Sequence, residues 1–102
     1  MHVHVEFCLV PIGAGTSLSP YIARCQELIR AAGLEHQLHA YGTNIAGDYG
    51  AVMAVVRECH EAVHAMGAPR IFTTLKIGSR TDREQRLQDK IDSVIDQLEN
   101  PE

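Results

Sequence analysis

The sequence predicts an α+β domain with the element order β-α-β-β-α-β-α, and two patterns support this prediction. Segments with an apolar residue at every second position indicate strands, and segments with apolar residues three or four positions apart indicate helices. Gly and Pro residues separate these segments and indicate turns between them. The 102 residues, 45% of them hydrophobic, are enough for one globular domain over residues 1–102.

The first strand and the first helix are predicted from the start of the chain. Every second residue from Val3 to Leu9 is apolar, which indicates a strand over residues 3–10, followed by a loop over 11–18. Ser19 is the predicted N-cap of the first helix, because its side chain can accept from a free N–H group there. Gly33 ends this helix, where a left-handed residue is expected.

A hairpin and a second helix are predicted next. Two short strands over residues 36–47 turn near Tyr41-Gly42. Asp48 is the predicted N-cap of a long helix over residues 49–66, which ends at Gly67. The alternating residues 70–77 then indicate the fourth strand.

A third helix is predicted near the end of the chain. Thr81-x-x-Glu84 is a capping-box pattern, and an apolar stripe runs behind it from Leu87 to Leu98. With right-handed crossovers and a central hairpin, the element order is that of the ferredoxin-like split βαββαβ fold. The predicted antiparallel sheet has the strand order 4-1-3-2, and the third helix is an extra element.

The two main helices are expected to cover one face of this sheet, which leaves a chemically mixed second face. That face would carry His4, Glu6, Cys8, Gln37, His39, Tyr41, Phe72, Thr74 and Lys76. Aromatic rings are large to leave in water, and charged groups are costly to bury unpaired. We therefore interpret this face as an oligomer interface or a ligand site between subunits, although a solvated face is also common in antiparallel sheets.

The topology predicts that polar loops gather at one end of the sheet. The loop 11–17, the turn 41–43 and Arg70 share this end, whereas Asp48 and Arg80 lie at the other. Hydroxyls and the free N–H groups of the first helix suit a small polar ligand. The candidate ligand-binding residues are Glu6, Thr16, Ser17, Tyr41, Thr43, Asn44 and Asp48.

One motif matches a zinc-protease pattern. His60-Glu61-Ala62-Val63-His64 reads as H-E-x-x-H on a predicted helix, with Glu84 as a possible third ligand. However, the apolar stripe of that helix requires Val63 to face the core, which places both histidines on its flank. We expect a solvated flank rather than a metal site, with a zinc hydrolase as a remote alternative.

Composition argues against several other classes. The net charge is −4 and no run of Lys or Arg occurs, so a nucleic-acid partner is not expected. No apolar stretch has the length of a membrane span or signal peptide, and the three cysteines are widely spaced. We expect a cytoplasmic protein without a cofactor or a membrane partner.

Four segments together resemble a known family. They are VEFCLVPIGAGTSLSPYIA, LHAYGTNIAGDYGAVM, CHEAVHAMGAPRIFTTLKIG and SRTD, in this order over nearly the whole chain. The chain is similar in them to the YkoF-like thiamine-binding-protein family. That resemblance implies a ferredoxin-like fold, assembly into dimers or tetramers, no known catalytic reaction, and binding of thiamine or its hydroxymethylpyrimidine part.

The family motif falls on residues 11–17, Gly42-Thr43, Gly47-Asp48 and Arg80. Ala46 stands where members often have Glu, and residues 49–50 replace a frequent Trp-Asp, so two groups suited to a cation are absent. The sequence therefore predicts a non-catalytic homo-oligomer that binds a small ligand, most readily thiamine or its pyrimidine part. The alternative is a structural or regulatory oligomer without a small ligand.

Overall fold

The first strand lies inside the sheet and pairs with a strand on each of its edges. A computed structural model describes residues 1–101. Its elements are β1 (His2–Ile12), α1 (Ser19–Ala31), β2 (Glu35–His39), β3 (Gly42–Asp48), α2 (Tyr49–Ala65), β4 (Arg70–Ser79) and α3 (Leu87–Glu99). All strand pairs are antiparallel, in the order β2-β3-β1-β4. This is the predicted strand order 4-1-3-2 read from the opposite edge of the sheet, so the ferredoxin-like sheet is confirmed.

The core lies between the sheet and the pair α1 and α2. Every second residue of β1, from Val3 to Leu9, is buried there, as the alternation predicts. Ile29 of α1 and Val55 of α2 pack into the same apolar cluster. Gly33 and Gly67 have positive φ angles of 71° and 104°, so both predicted helix ends are confirmed.

Of the two N-caps predicted for α1 and α2, one is confirmed and one is wrong. Asp48 caps α2 as predicted, because its Oδ2 accepts from the N–H groups of Gly50 at 3.0 Å and Ala51 at 3.4 Å. The prediction for Ser19 is wrong, since Ser19 is the first residue of α1 and Leu18 occupies the capping position. Leu18 offers no side-chain acceptor, but its carbonyl accepts from the N–H groups of Tyr21 and Ile22.

The capping box predicted at Thr81-x-x-Glu84 is also wrong, because α3 begins six residues after Thr81, at Leu87. A tertiary contact fixes this start. The Glu35 carboxylate of β2 accepts from the Leu87 N–H at 2.9 Å and from Arg86 Nε at 3.2 Å. The local capping contact is instead Asp89 Oδ2, which accepts from the Arg86 N–H at 2.9 Å.

The third helix lies at one end of the second sheet face and extends beyond the sheet. Leu87 is its one buried residue within the described chain, and Gln88 accepts from Gln37 Nε2 at 3.2 Å. The radius of gyration is 15.4 Å, whereas about 13 Å is expected for a compact chain of this length. Most of the apolar stripe of α3 is therefore exposed, including Val94 and Leu98. None of the helices in residues 1–101 is long and apolar enough to cross a bilayer.

Candidate functional site

A cleft forms beside β1 because the two neighbours of this strand differ in length. The pairing of β1 with β3 ends at Phe7 and Thr43, whereas its pairing with β4 continues to Ile12 and Arg70. Beyond Phe7, one edge of β1 therefore has no strand next to it. The N-terminal half of α1 and the β2–β3 turn form the walls of the space that remains.

The cleft has a volume of about 640 Å³, within the range of about 300–1,000 Å³ that is usual for small-molecule sites. Apolar side chains provide most of its lining, among them Leu9, Leu18 and Ile22. Thr16 and Ser19 contribute hydroxyl groups from the start of α1 and the loop before it. This combination suits a flat heterocycle that has a few polar edges.

A polar pair joins the two walls of the cleft. Gln26 Nε2 of α1 donates to Thr43 Oγ1 of β3 at 2.8 Å, and Thr43 is buried. The Thr43 hydroxyl can still donate, and the Gln26 carbonyl oxygen can still accept. These two groups can therefore bind a ligand edge that has both an acceptor and a donor.

The chain turns at the cleft through a glycine that approaches β1 closely. A Cβ atom on Gly42 would lie 2.7 Å from the Phe7 carbonyl oxygen, a distance that real Cβ atoms do not adopt. Only a residue without a side chain fits here. Gly42 thus sets the position of Tyr41 on one side and Thr43 on the other.

The histidine of the same turn connects the cleft with the second sheet face. His39 Nδ1 accepts from the Tyr41 N–H at 3.2 Å, so the neutral ring carries its proton on Nε2. That Nε2 lies 3.5 Å from Glu6 Oε2 but not in hydrogen-bonding geometry, and it is buried. Glu6 itself is half exposed and lies outside the cleft lining.

The structure brings together three of the seven predicted ligand residues and separates the rest. Thr16, Tyr41 and Thr43 line the cleft. Glu6 and Asn44 face each other across β1 and β3 on the second sheet face, in a shallower groove of about 350 Å³. Ser17 is exposed and lines none of these spaces.

Asp48, the seventh predicted residue, lies at the opposite end of the sheet, paired in register with His2. Its carboxylate caps α2 and also contacts the Met1 ammonium group at 3.3 Å. The Met1 contact and the N–H groups of Ala51 and Gly50 lower the pKa of Asp48. Asp48 therefore supports the fold from a position far from the cleft.

Sequence reasoning missed Gln26, the residue that completes the polar pair. A glutamine on a helix is common on solvated surfaces, and no motif surrounds this one. The available signal was its spacing of four residues from Ile22 and three from Ile29, because that spacing puts Gln26 beside the apolar stripe.

The H-E-x-x-H residues are engaged in other contacts. His60 Nε2 shares a hydrogen bond of 2.6 Å with Thr73 Oγ1, and His64 Nδ1 donates to the Ala68 carbonyl at 2.8 Å. Glu61 pairs with Arg57 at 2.9 Å. Burial, together with the nearby His64, lowers the pKa of His60. Within residues 1–101, no three metal-ligating side chains come together, so the geometry gives the zinc hypothesis no support.

Comparison with known proteins adds to this geometry. A UPF0045 protein of Synechocystis is 53% identical over 100 residues, which cover 98% of this chain and 83% of the relative. A UPF0045 protein of the fungus Eremothecium gossypii is 37% identical and covers 96% and 94% of the two chains. These names indicate no catalytic activity.

Solved structures share the fold. The crystal structure of a Methanocaldococcus jannaschii protein aligns with a TM-score of 0.83 at 28% identity and covers 91% of this chain and 95% of that one. A Thermotoga maritima protein, described as a candidate thiamine biosynthesis/salvage protein, aligns with a TM-score of 0.79 at 21% identity, covering 92% and 99%. The family model described as "Thiamine-binding protein" matches residues 5–95. The chain therefore belongs to the thiamine-binding protein family.

Proposed function

We propose that this protein binds thiamine or its hydroxymethylpyrimidine part in the cleft beside β1, without catalysing a reaction. The observation that carries the proposal is the Gln26–Thr43 pair at 2.8 Å in a cleft whose lining is mostly apolar. Membership of the thiamine-binding protein family supports this ligand class.

The polar pair matches the edge of an aminopyrimidine. Gln26 Oε1 can accept from the exocyclic amino group, and the Thr43 hydroxyl can donate to the adjacent ring nitrogen. The apolar walls then contact the faces of the ring, and Tyr41, which is 85% exposed in this chain alone, can fold over it.

The charge of the cleft favours the pyrimidine half of thiamine over its cationic thiazolium half. No Asp or Glu lines the cleft among the described residues. A buried cation without a counter-charge is costly. We therefore expect the pyrimidine to lie inside and the thiazolium to extend towards solvent.

Self-association into a dimer or tetramer is part of the same proposal. Val94 and Leu98 of α3 and Phe72 of β4 are each at least 60% exposed. Because α3 extends from the sheet with its apolar stripe uncovered, a second copy of the chain is the occupant that accounts for it. The cysteines Cys8, Cys25 and Cys59 are unpaired, which agrees with a cytoplasmic location.

Titration calorimetry with thiamine and with hydroxymethylpyrimidine tests the ligand. We expect both to bind with similar affinity, and Gln26→Leu to weaken both by about tenfold or more, because Thr43 and the ligand each lose a partner. Gln37→Leu is the matched control, since Gln37 lies outside the cleft. It should change affinity by less than about twofold.

Two further measurements complete the test. Light scattering should give a mass of two or four chains, and chromatography after long incubation should recover the ligand unchanged. Absence of binding at millimolar concentrations of either ligand would contradict the proposal and favour a structural oligomer. A converted product would contradict its non-catalytic part.

A further inference from the structure

A second cavity lies at the opposite end of the sheet from the cleft, where β1, β4 and the start of α3 meet. It has a volume of about 120 Å³, and its lining includes His2, His4, Ser79, Arg80, Gln85 and Lys90. Within residues 1–101 no carboxylate lines it, although the whole chain has 13 acidic residues against nine Lys and Arg. An acidic protein thus places basic and hydrogen-bonding groups around one small space.

The guanidinium group of Arg80 is held in a fixed orientation at this cavity. Its Nε and Nη2 donate to the two Asp82 oxygens at 2.7 and 2.5 Å, and its Nη1 donates to Gln85 Oε1 at 3.0 Å. Each of Nη1 and Nη2 retains a further N–H group. Asp82 balances the charge of Arg80 but does not line the cavity.

Lys90 supplies a second positive charge at this cavity. No acidic group lies within ion-pair distance of its ammonium group in the described chain. It stands in the first turn of α3, opposite residues of β1 and β4. An anion in the cavity would therefore contact both the helix and the sheet.

Two histidines of the lining contain buried polar atoms. His4 Nε2 donates to the Gln85 carbonyl, and the rings of His2 and His4 meet edge to face with centroids 5.5 Å apart. Within residues 1–101, His2 Nε2 and His4 Nδ1 are buried and form no hydrogen bond. Buried polar atoms without partners are costly, and a ligand group that forms hydrogen bonds with them would offset that cost.

The cavity continues into the 350 Å³ groove on the second sheet face. Both spaces share His4, Gly78 and Lys90 as lining residues. The groove also has apolar contacts from Ile77 and Ile91, and its charged lining groups include the Glu6 carboxylate and the Lys76 ammonium group. It therefore provides room for an organic group attached to an anion in the cavity.

We propose that this cavity binds the phosphate group of a small phosphate monoester, and that the bound phosphate holds the start of α3 against the sheet. Guanidinium and ammonium donors converging on a space without carboxylates are the groups that bind phosphate oxygens. The site is separate from the cleft, so the two proposals can fail independently.

Thermal unfolding and titration with inorganic phosphate and with glycerol phosphate test the site, against sodium chloride at equal ionic strength. Both phosphates should raise the unfolding temperature of the whole protein, and glycerol phosphate should bind more tightly. Lys90→Gln should weaken phosphate binding by about tenfold, because it removes one charge-assisted contact. Lys76→Gln removes the other lysine, which lines the groove but not the small cavity, so the affinity for inorganic phosphate should change by less than about twofold.

Hydrogen exchange provides a readout that a general salt effect would not produce. Glycerol phosphate should slow amide exchange in the first turns of α3, and this slowing should be lost in Lys90→Gln. Exchange in α2, which follows global unfolding, should slow by no more than the rise in global stability requires. Equal stabilisation by chloride, or an unchanged affinity in Lys90→Gln, would overturn the proposal. If glycerol phosphate binds no more tightly than inorganic phosphate, the assignment of the ligand as a phosphate monoester is overturned. Loss of thiamine binding in Gln26→Leu has no bearing on either result.

Discussion

The two faces of the sheet differ in how completely helices cover them. On one face, α1 and α2 enclose the core, and α2 alone buries five residues: Val52, Val55, Val56, Cys59 and Val63. On the other face, α3 buries Leu87 and leaves the rest of its apolar stripe exposed. The covered face accounts for stability, and the partly open face keeps charged and polar groups accessible to ligands or to another subunit.

The largest expected effect is a difference in unfolding free energy between a substitution on the covered face and one on the partly open face. Ile45 is fully buried on the covered face, so Ile45→Ala should lower the free energy of unfolding by about 2–5 kcal/mol. Phe72 is 60% exposed and contacts the Arg70 guanidinium, so Phe72→Ala should cost about 1 kcal/mol or less in dilute protein. Urea denaturation measures both. A large, concentration-dependent cost for Phe72→Ala would mean that a second copy covers this face.

A backbone substitution at the cleft should have the next largest effect. The new Cβ in Gly42→Ala would meet the Phe7 carbonyl at 2.7 Å, so we expect a loss of about 1–3 kcal/mol in stability and weaker ligand binding. Gly78→Ala is the control, because its Cβ would lie 4.0 Å from the nearest atom, the His4 carbonyl oxygen. Unfolding curves and calorimetry that fail to distinguish the two variants would contradict the close approach at Gly42.

The covered face was predictable from sequence because local patterns determine it. The alternation in β1 and the Asp48 cap each depend on residues close together in the chain, and both predictions are confirmed. The start of α3 was not predictable, because it depends on Glu35, which is 52 positions before Leu87. The local capping pattern at Thr81 contains no information about that contact.

The cleft was predictable only in part, for a similar reason. The topology brings the loop containing Thr16 and the turn containing Tyr41 to the same end of the sheet, as the order of elements predicts. Gln26 became visible only when its distance to Thr43 was known. Side chains that act through contacts between elements carry little signal in a single sequence.

Acid should reduce the stabilisation that the Asp48 carboxylate gives to the folded protein. The pKa of Asp48 is lowered in the folded protein, mainly by the Met1 ammonium and by the Ala51 N–H, so its charge stabilises the fold above the ordinary Asp pKa of about 3.9. This stabilisation is lost as the pH falls through the lowered pKa. Asp48→Asn keeps a capping side chain without the charge, so its stability deficit should be present at pH 7 and shrink towards pH 3. A deficit that does not change with pH in urea denaturation would contradict this assignment.

The smallest effect on global stability should come from the partly covered face. Glu35→Gln replaces the carboxylate that accepts from Leu87 and Arg86, but α3 contributes little buried surface, so the unfolding free energy should fall by about 1 kcal/mol or less. Amide exchange in α3 should nevertheless accelerate clearly, while exchange in α2 follows global unfolding. Glu27→Gln is the control, because Glu27 lies on α1 and pairs only with exposed Arg24 in the described chain. If α3 exchanges as slowly as α2 in the unsubstituted protein, then the second face is covered in solution, and the contrast between the two faces holds only for the isolated chain.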